Sequence, residues 1–202
     1  MIKNDPTSVN AAKWMIFFVL LATTAVWAIT LTFGFVWDDL PTIVTNPSLR
    51  HWDTLGRAFV SDFWGLHDNP VSSGYWRPLP TIVYVFVAQI FGKNAWAFHT
   101  ANLAFYLAVS VSLAQLLLEL GFEPLVVLFA SLFFAAHPLH AETVSFVSAL
   151  PDLAAAFFGL QAIRLWLLKG RRATVFGGIC FALALLSKES ALVFAFVLAG
   201  KI

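Results

Sequence analysis

The stretch Phe35-Val36-Trp37-Asp38-Asp39-Leu40-Pro41 decides how this sequence is read. A long apolar run ends here, two adjacent carboxylates follow, and a proline bars a simple helical continuation. Carboxylates at the rim of a membrane helix are costly, and where they occur they mark function. The run before them, Trp14 to Val36, holds 23 residues without a charge. That exceeds the roughly 7–15 residue core of a signal peptide, and no small-x-small cleavage site closes it. It is long enough to span a bilayer. Lys3 and Lys13 precede it, so residues 1–13 are expected to be cytoplasmic.

Composition agrees. The 202 residues are 60% hydrophobic and 11% charged, with a mean hydropathy of +0.82. Soluble domains sit near 45–50% apolar and about 25% charged. The expected class is all-α, a polytopic membrane helix bundle occupying residues 14–202. A net charge of +1 offers no basic field for nucleic acid. Cys180, the single cysteine, lies inside an apolar run and excludes an intrachain disulfide.

Residues 37–93 read as the first extracytoplasmic loop. Trp52, Leu55, Phe59 and Phe63 recur at helical spacing, which predicts an amphipathic juxtamembrane helix in the interface plane. Leu79–Phe91 supplies only 13 apolar residues, about 20 Å of helix, against a hydrocarbon core of about 30 Å. It is expected to dip without crossing. Spans then follow at 95–118, 125–136, 143–168 (interrupted by Pro151-Asp152) and 174–186. In that arrangement Lys169-Gly170-Arg171-Arg172 lies inside, as positive charge tends to. Asp38-Asp39, His137 to Glu142 and Lys188-Glu189 then share the outer side. The chain stops at Gly200-Lys201-Ile202, about ten residues into a sixth apolar segment, and is expected to be the truncated N-terminal portion of something longer.

Each polar motif has a structural and a chemical reading. Asp38 and Asp39 can solvate a loop or cap a helix; equally, one can serve as general base for an acceptor hydroxyl. His137, His140 and Glu142 surround a proline turn. They fit an interfacial turn or, with a missing fourth ligand, a divalent metal held by Glu142 and His140. Asp152 can cap the helix restarted after Pro151. Lys188 and Glu189 can pair with each other. Lys188 can instead neutralise a lipid-borne phosphate, with Arg77 as a bidentate second contact. His99 and Asn102 fit interhelical hydrogen bonding.

Several strings now stand in a recognisable order: Phe35-Val36-Trp37-Asp38-Asp39, Tyr75-Trp76-Arg77-Pro78-Leu79 and Phe98-His99-Thr100-Ala101-Asn102-Leu103. They continue with Phe133 through Val144, Asp152-Leu153-Ala154-Ala155 and Ala184-Leu185-Leu186-Ser187-Lys188-Glu189. Residues 35–190 closely resemble the membrane half of the transmembrane and tetratricopeptide-repeat-containing O-mannosyltransferases and their bacterial relatives, within the GT-C superfamily. One departure is Leu150-Pro151, where the family often carries Gly-Arg before the acidic residue.

The resemblance implies a glycosyltransferase moving a mannose-like sugar from a polyprenyl- or dolichyl-phosphate donor to a hydroxyl acceptor on protein. The site would face the extracytoplasmic side of a bacterial inner membrane or the endoplasmic reticulum. It implies Asp38 as base with Asp39 beside it and Glu142 as the second acid. Arg77 and Lys188 would lie at the donor phosphate, supported by His137, His140, Asp152 and Glu189. A divalent cation (Mg or Mn) is an optional cofactor, and tetratricopeptide repeats would follow beyond residue 202. The rival expectation is a transporter or channel subunit that relays ions or protons through its carboxylates, which would then sit near mid-membrane.

Overall fold

In the computed structural model, residues 6–67, 72–168 and 170–200 are described; Lys3, Lys169, Lys201 and Ile202 lie outside them. Among the described residues every regular element is helical. Helix α1 (Pro6–Trp27) continues as 3₁₀ turns through Thr32. After a loop holding the single-turn α2 (Thr54–Arg57) come α3 (Pro78–Phe91), α4 (Ala95–Glu119) and α5 (Pro124–Ala136). The short α6 (Ala141–Ser145), then α7 (Leu150–Leu167), α8 (Arg171–Ser187) and α9 (Val193–Ala199) complete the chain.

By length and composition, Ala12–Thr32, Ala95–Glu119 and Val147–Leu167 can each cross a membrane. The pair Pro124–Ala136 and Pro138–Ser145, bent by 45°, adds a fourth if taken as one broken span. At 1.5 Å per residue the 21 residues of the first reach about 31 Å, which matches the hydrocarbon core. This is a multi-pass membrane protein. Its centre is α4, which packs against α1, α5 and α7, while α8 lies along α7.

Proline punctuates the bundle. Pro124 opens α5, and His137, forced extended by the Pro138 that follows it, ends the helix (ψ 128°). Pro151 sits in the first turn of α7, where its missing N–H costs nothing, and Asp152 places a negative charge at the same positive helix end. Gly92, at φ +64°, terminates α3 in a conformation that side chains avoid.

Four expectations change. Residues 33–36 are not helical, because α1 gives way at Phe33 to extended backbone (ψ 152°). The predicted amphipathic helix over 52–63 shrinks to α2, flanked by turns, because Leu55 and Phe63 pack inward against Tyr84 and Val85. The single helix expected over 143–168 is two helices and a 3₁₀ turn, and Pro151 begins the second helix rather than kinking a continuous one. Finally, α8 starts at Arg171, three residues before the predicted span, and at 17 residues stands at the short end of spanning length.

Helix α3 has both ends tied to one end of the bundle. Its Arg77 side meets Glu189 just past α8, and its Phe91 side leads within four residues into α4. At 14 residues this helix is about 21 Å long, short of the hydrocarbon core. The loop before it folds onto this helix: Gln89 donates to the Leu49 carbonyl, and Lys93 Nζ donates to the Val44 and Asn46 carbonyls at 2.8 Å each. In the same loop His67 packs edge-on against Trp64, with ring centroids 4.6 Å apart. Burial holds its imidazole down at about 4, against an opposing pull from Asp62.

Two measurements follow. In a Cys180→Ser background of the full-length protein, single cysteines at Val60 and Ser190 should react with an impermeant thiol reagent from one side of the membrane. A cysteine at Glu123, at the far end of α4 and α5, should react only from the other. The second concerns pH. The folded His67 pKa lies below the ordinary value of about 6.5, so its contribution is fully present above that value and is lost as pH falls toward about 4. The melting temperature should therefore drop between about pH 7 and pH 5, and His67→Phe should flatten that part of the profile.

Candidate active site

The site forms where irregular backbone meets helix ends. Between α6 and α7 the chain turns through a 3₁₀ segment in which the Phe146 carbonyl accepts the Ala149 N–H and the Val147 carbonyl accepts the Leu150 N–H. Three distant side chains add bonds to this turn. Asn102 of α4 donates to the Phe146 carbonyl at 2.7 Å, and Tyr84 of α3 donates its hydroxyl to the Val147 carbonyl at 2.9 Å. Asp39 receives the Ser148 backbone N–H and the Ser148 hydroxyl, each at 2.8 Å on Oδ1. Its Oδ2 also accepts the Val36 N–H at 3.2 Å.

The two aspartates therefore differ completely. Asp39 is 0% exposed and has three donors, so its charge is spent on structure. Asp38 is exposed and makes no side-chain hydrogen bond or ion pair with any described residue. Before them, Trp37 holds φ +49°, in the left-handed region, a strain of about 1–3 kcal/mol for a bulky side chain. The residue is 85% exposed.

Trp37, Val36, Glu142 and Phe146 line a cavity of about 340 Å³. A neighbouring cavity of about 500 Å³ shares Val36, Glu142 and Phe146 and extends to Phe33 and Gly34. Together they make an open apolar cleft with one carboxylate, between the segment after α1 and the segment around α6. Helix α4 braces both walls: His99 Nε2 lies 3.4 Å from the Gly34 carbonyl, and Asn102 holds Phe146.

A row of charge lies beyond. Lys188 Nζ donates to Asp152 at 2.6 Å, while Arg77 grips Glu189 through Nε (3.1 Å) and Nη2 (2.6 Å). Arg77 also stacks 4.5 Å over the Tyr75 ring. Its hydrogen bonds to Glu189, against a smaller opposing effect of burial, hold that carboxyl below the usual range. Lys188 and Glu189 thus pair with other segments and not with each other. Ser148 and Asp152, four residues apart, link the Asp39 corner to this row.

The histidines serve the turn. His137 Nδ1 accepts the Leu139 N–H at 3.1 Å, capping the 3₁₀ turn Pro138–His140, and His140 packs on Phe134 with centroids 4.4 Å apart. Among the described residues no three His, Cys, Asp or Glu side chains gather as a metal shell. Glu142 and His140 alone do not make the ligand shell that a divalent cation takes from protein. Sequence reasoning missed Ser148, Tyr84 and the strained Trp37. The only available signal was a polar break, Ser145 to Ser148, in an otherwise apolar run.

Compared with known proteins, the chain is 31% identical over 173 residues to human protein O-mannosyl-transferase TMTC2, a match covering 79% of this chain and 20% of that protein. The chain is a homologue of the TMTC protein O-mannosyl-transferases. Human TMTC3 is 31% identical over 140 residues, covering 69% of this chain and 15% of TMTC3. The Drosophila melanogaster Tmtc2 protein is 36% identical over 129 residues, 62% of this chain and 14% of its own length. The chain spans about a fifth of the length of the curated TMTC2 relatives it matches. No family model matches, and no solved structure matches.

The division between the aspartates yields a prediction. Asp39→Asn replaces one acceptor oxygen with an NH2 donor that must face either the Val36 N–H or the Ser148 donors. It should destabilise the full-length protein by about 1–3 kcal/mol, read as a lower melting temperature in detergent. Asp38→Asn should leave the melting temperature within error of wild type.

Proposed function

We propose that this chain carries the donor side of a membrane glycosyltransferase that moves mannose from a polyprenyl-phosphate carrier to a protein hydroxyl at the extracytoplasmic face. The names of the relatives support mannosyl transfer to protein. The observation that carries the reading is Asp38: an exposed carboxylate without a side-chain partner among the described residues, directly after a residue that lines an apolar cleft, at the bundle end that also holds Lys188. An apolar cleft suits a polyprenyl tail, and a carboxylate beside it suits a base.

In this mechanism Asp38 accepts the proton of the acceptor hydroxyl as that oxygen attacks the anomeric carbon. The bond from that carbon to the phosphate oxygen breaks, and both electrons leave with the phosphate. Lys188 donates to the departing phosphate. Its ammonium carries three donors, and one is held by Asp152. Arg77 supports from behind: only 13% of its side chain is exposed and two of its nitrogens face Glu189, so it steadies the Lys188 segment. Glu142, on the opposite wall of the cleft, orients the acceptor. A single displacement inverts the anomeric carbon. Ion relay through the bundle finds little support, because the other acidic end, Glu119, is closed by Arg164 at 2.7 Å.

The test uses membranes bearing the full-length protein and a radiolabelled polyprenyl-phosphate mannose. Asp38→Asn should reduce transfer by about 10²–10⁴-fold, the span of general-base effects. Lys188→Ala should lose transfer as well. Undiminished transfer by Asp38→Asn would overturn the assignment.

A further inference from the structure

The chain from Val36 to Asp39 is built as a corner under tension. Trp37 occupies the left-handed region, which a tryptophan does not hold unaided. Something must hold it there, and the geometry shows what does. Asp39 closes a tight loop on its own chain by accepting the Val36 N–H. It is also fastened across 109 residues to Ser148, which presents both its backbone N–H and its hydroxyl to one oxygen. Asp38 lies between the buried Asp39 and the cleft-lining Trp37, so its place is set by residues on either side of it.

We propose that Ser148 and Asp39 are positioning residues: together they form a catch that holds the Trp37–Asp38 corner against the cleft, so that the Asp38 carboxylate meets the acceptor. This rests on the reading of Asp38 as the base. The catch explains why two adjacent carboxylates are present when one base suffices. Asp39 supplies the grip and Asp38 the chemistry. It also gives Ser148 a role that its backbone N–H alone would not fill, because the hydroxyl doubles the hold on Oδ1. Ser148 lies on the segment that Tyr84 and Asn102 fasten to α3 and α4, so the catch is anchored to the rigid part of the bundle.

The test has two arms, both on the full-length protein. In the first, with Cys180→Ser, a nitroxide label replaces Asp38 (Asp38→Cys) or, as a control, Val60 (Val60→Cys). Ser148→Ala should raise label mobility at 38 and leave it unchanged at 60, and Ser148→Thr, which keeps the hydroxyl, should restore the wild-type spectrum. In the second arm Asp38 is intact and transfer is measured. Ser148→Ala should lower kcat by roughly tenfold or more with donor KM within about twofold, since misplacement of a base affects the transition state and not donor binding. Ser148→Thr should recover most of the rate.

Unchanged mobility at 38 in Ser148→Ala would overturn the proposal, as would loosening at 38 and 60 alike, which marks a merely structural role. A full kcat in Ser148→Ala, with a transferring wild type, would overturn it too. If the wild type transfers no sugar, the reading of Asp38 as a base fails, and the catch itself stands or falls on the spin-label arm.

Discussion

The fold depends on fastening the turn at 146–148 to three distant parts of the chain. A break between helices at membrane depth survives where protein supplies partners. Here the turn's own N–H groups reach the Phe146 and Val147 carbonyls, and Asn102, Tyr84 and Asp39 add bonds from α4, α3 and the segment after α1. The result joins three parts of the chain that are far apart in sequence. It also opens the cleft, because the same break that needs partners displaces α6 from α7 and leaves Glu142 and Phe146 facing Trp37.

Much of this was written in local patterns. The apolar runs at 95–118 and within 14–36 are helices of nearly those bounds, because length and hydropathy alone decide a span. The short 79–91 segment is a helix too short for the span criterion, and it is tied near its two ends to Glu189 and to the Leu49 carbonyl. Helix ends were harder. Pro151 reads as an interruption when the pattern around it is helical, yet a proline is equally at home in a first turn, and only the packing of Leu150 into the core decides between them. The 52–63 pattern had helical spacing over too few residues, and inward contacts of Leu55 and Phe63 overrode it.

The site was legible as a set of residue types and not as a set of pairings. Asp38, Glu142, Lys188 and Arg77 stand out as charges in an apolar chain. Nothing local says that Asp39 reaches Ser148, that Arg77 reaches Glu189, or that Lys188 turns to Asp152. Those pairs are 109, 112 and 36 residues apart. Adjacent aspartates are also indistinguishable by composition; the backbone alone sends one inward and leaves the other in solvent. The histidines were open to two readings in sequence, since an imidazole beside a proline turn serves as a cap as readily as a ligand, and His137 is seen capping.

The extended backbone at Lys188 (φ −159°, ψ 140°) carries a consequence of its own. It splays two neighbouring side chains, so the tail of α8 stitches α7 on one side and α3 on the other through separate bonds. An anion that draws the ammonium away from Asp152 would undo the first stitch and spare the second. The packing of α8 along α7 would remain, so the ammonium can exchange its partner without moving either helix.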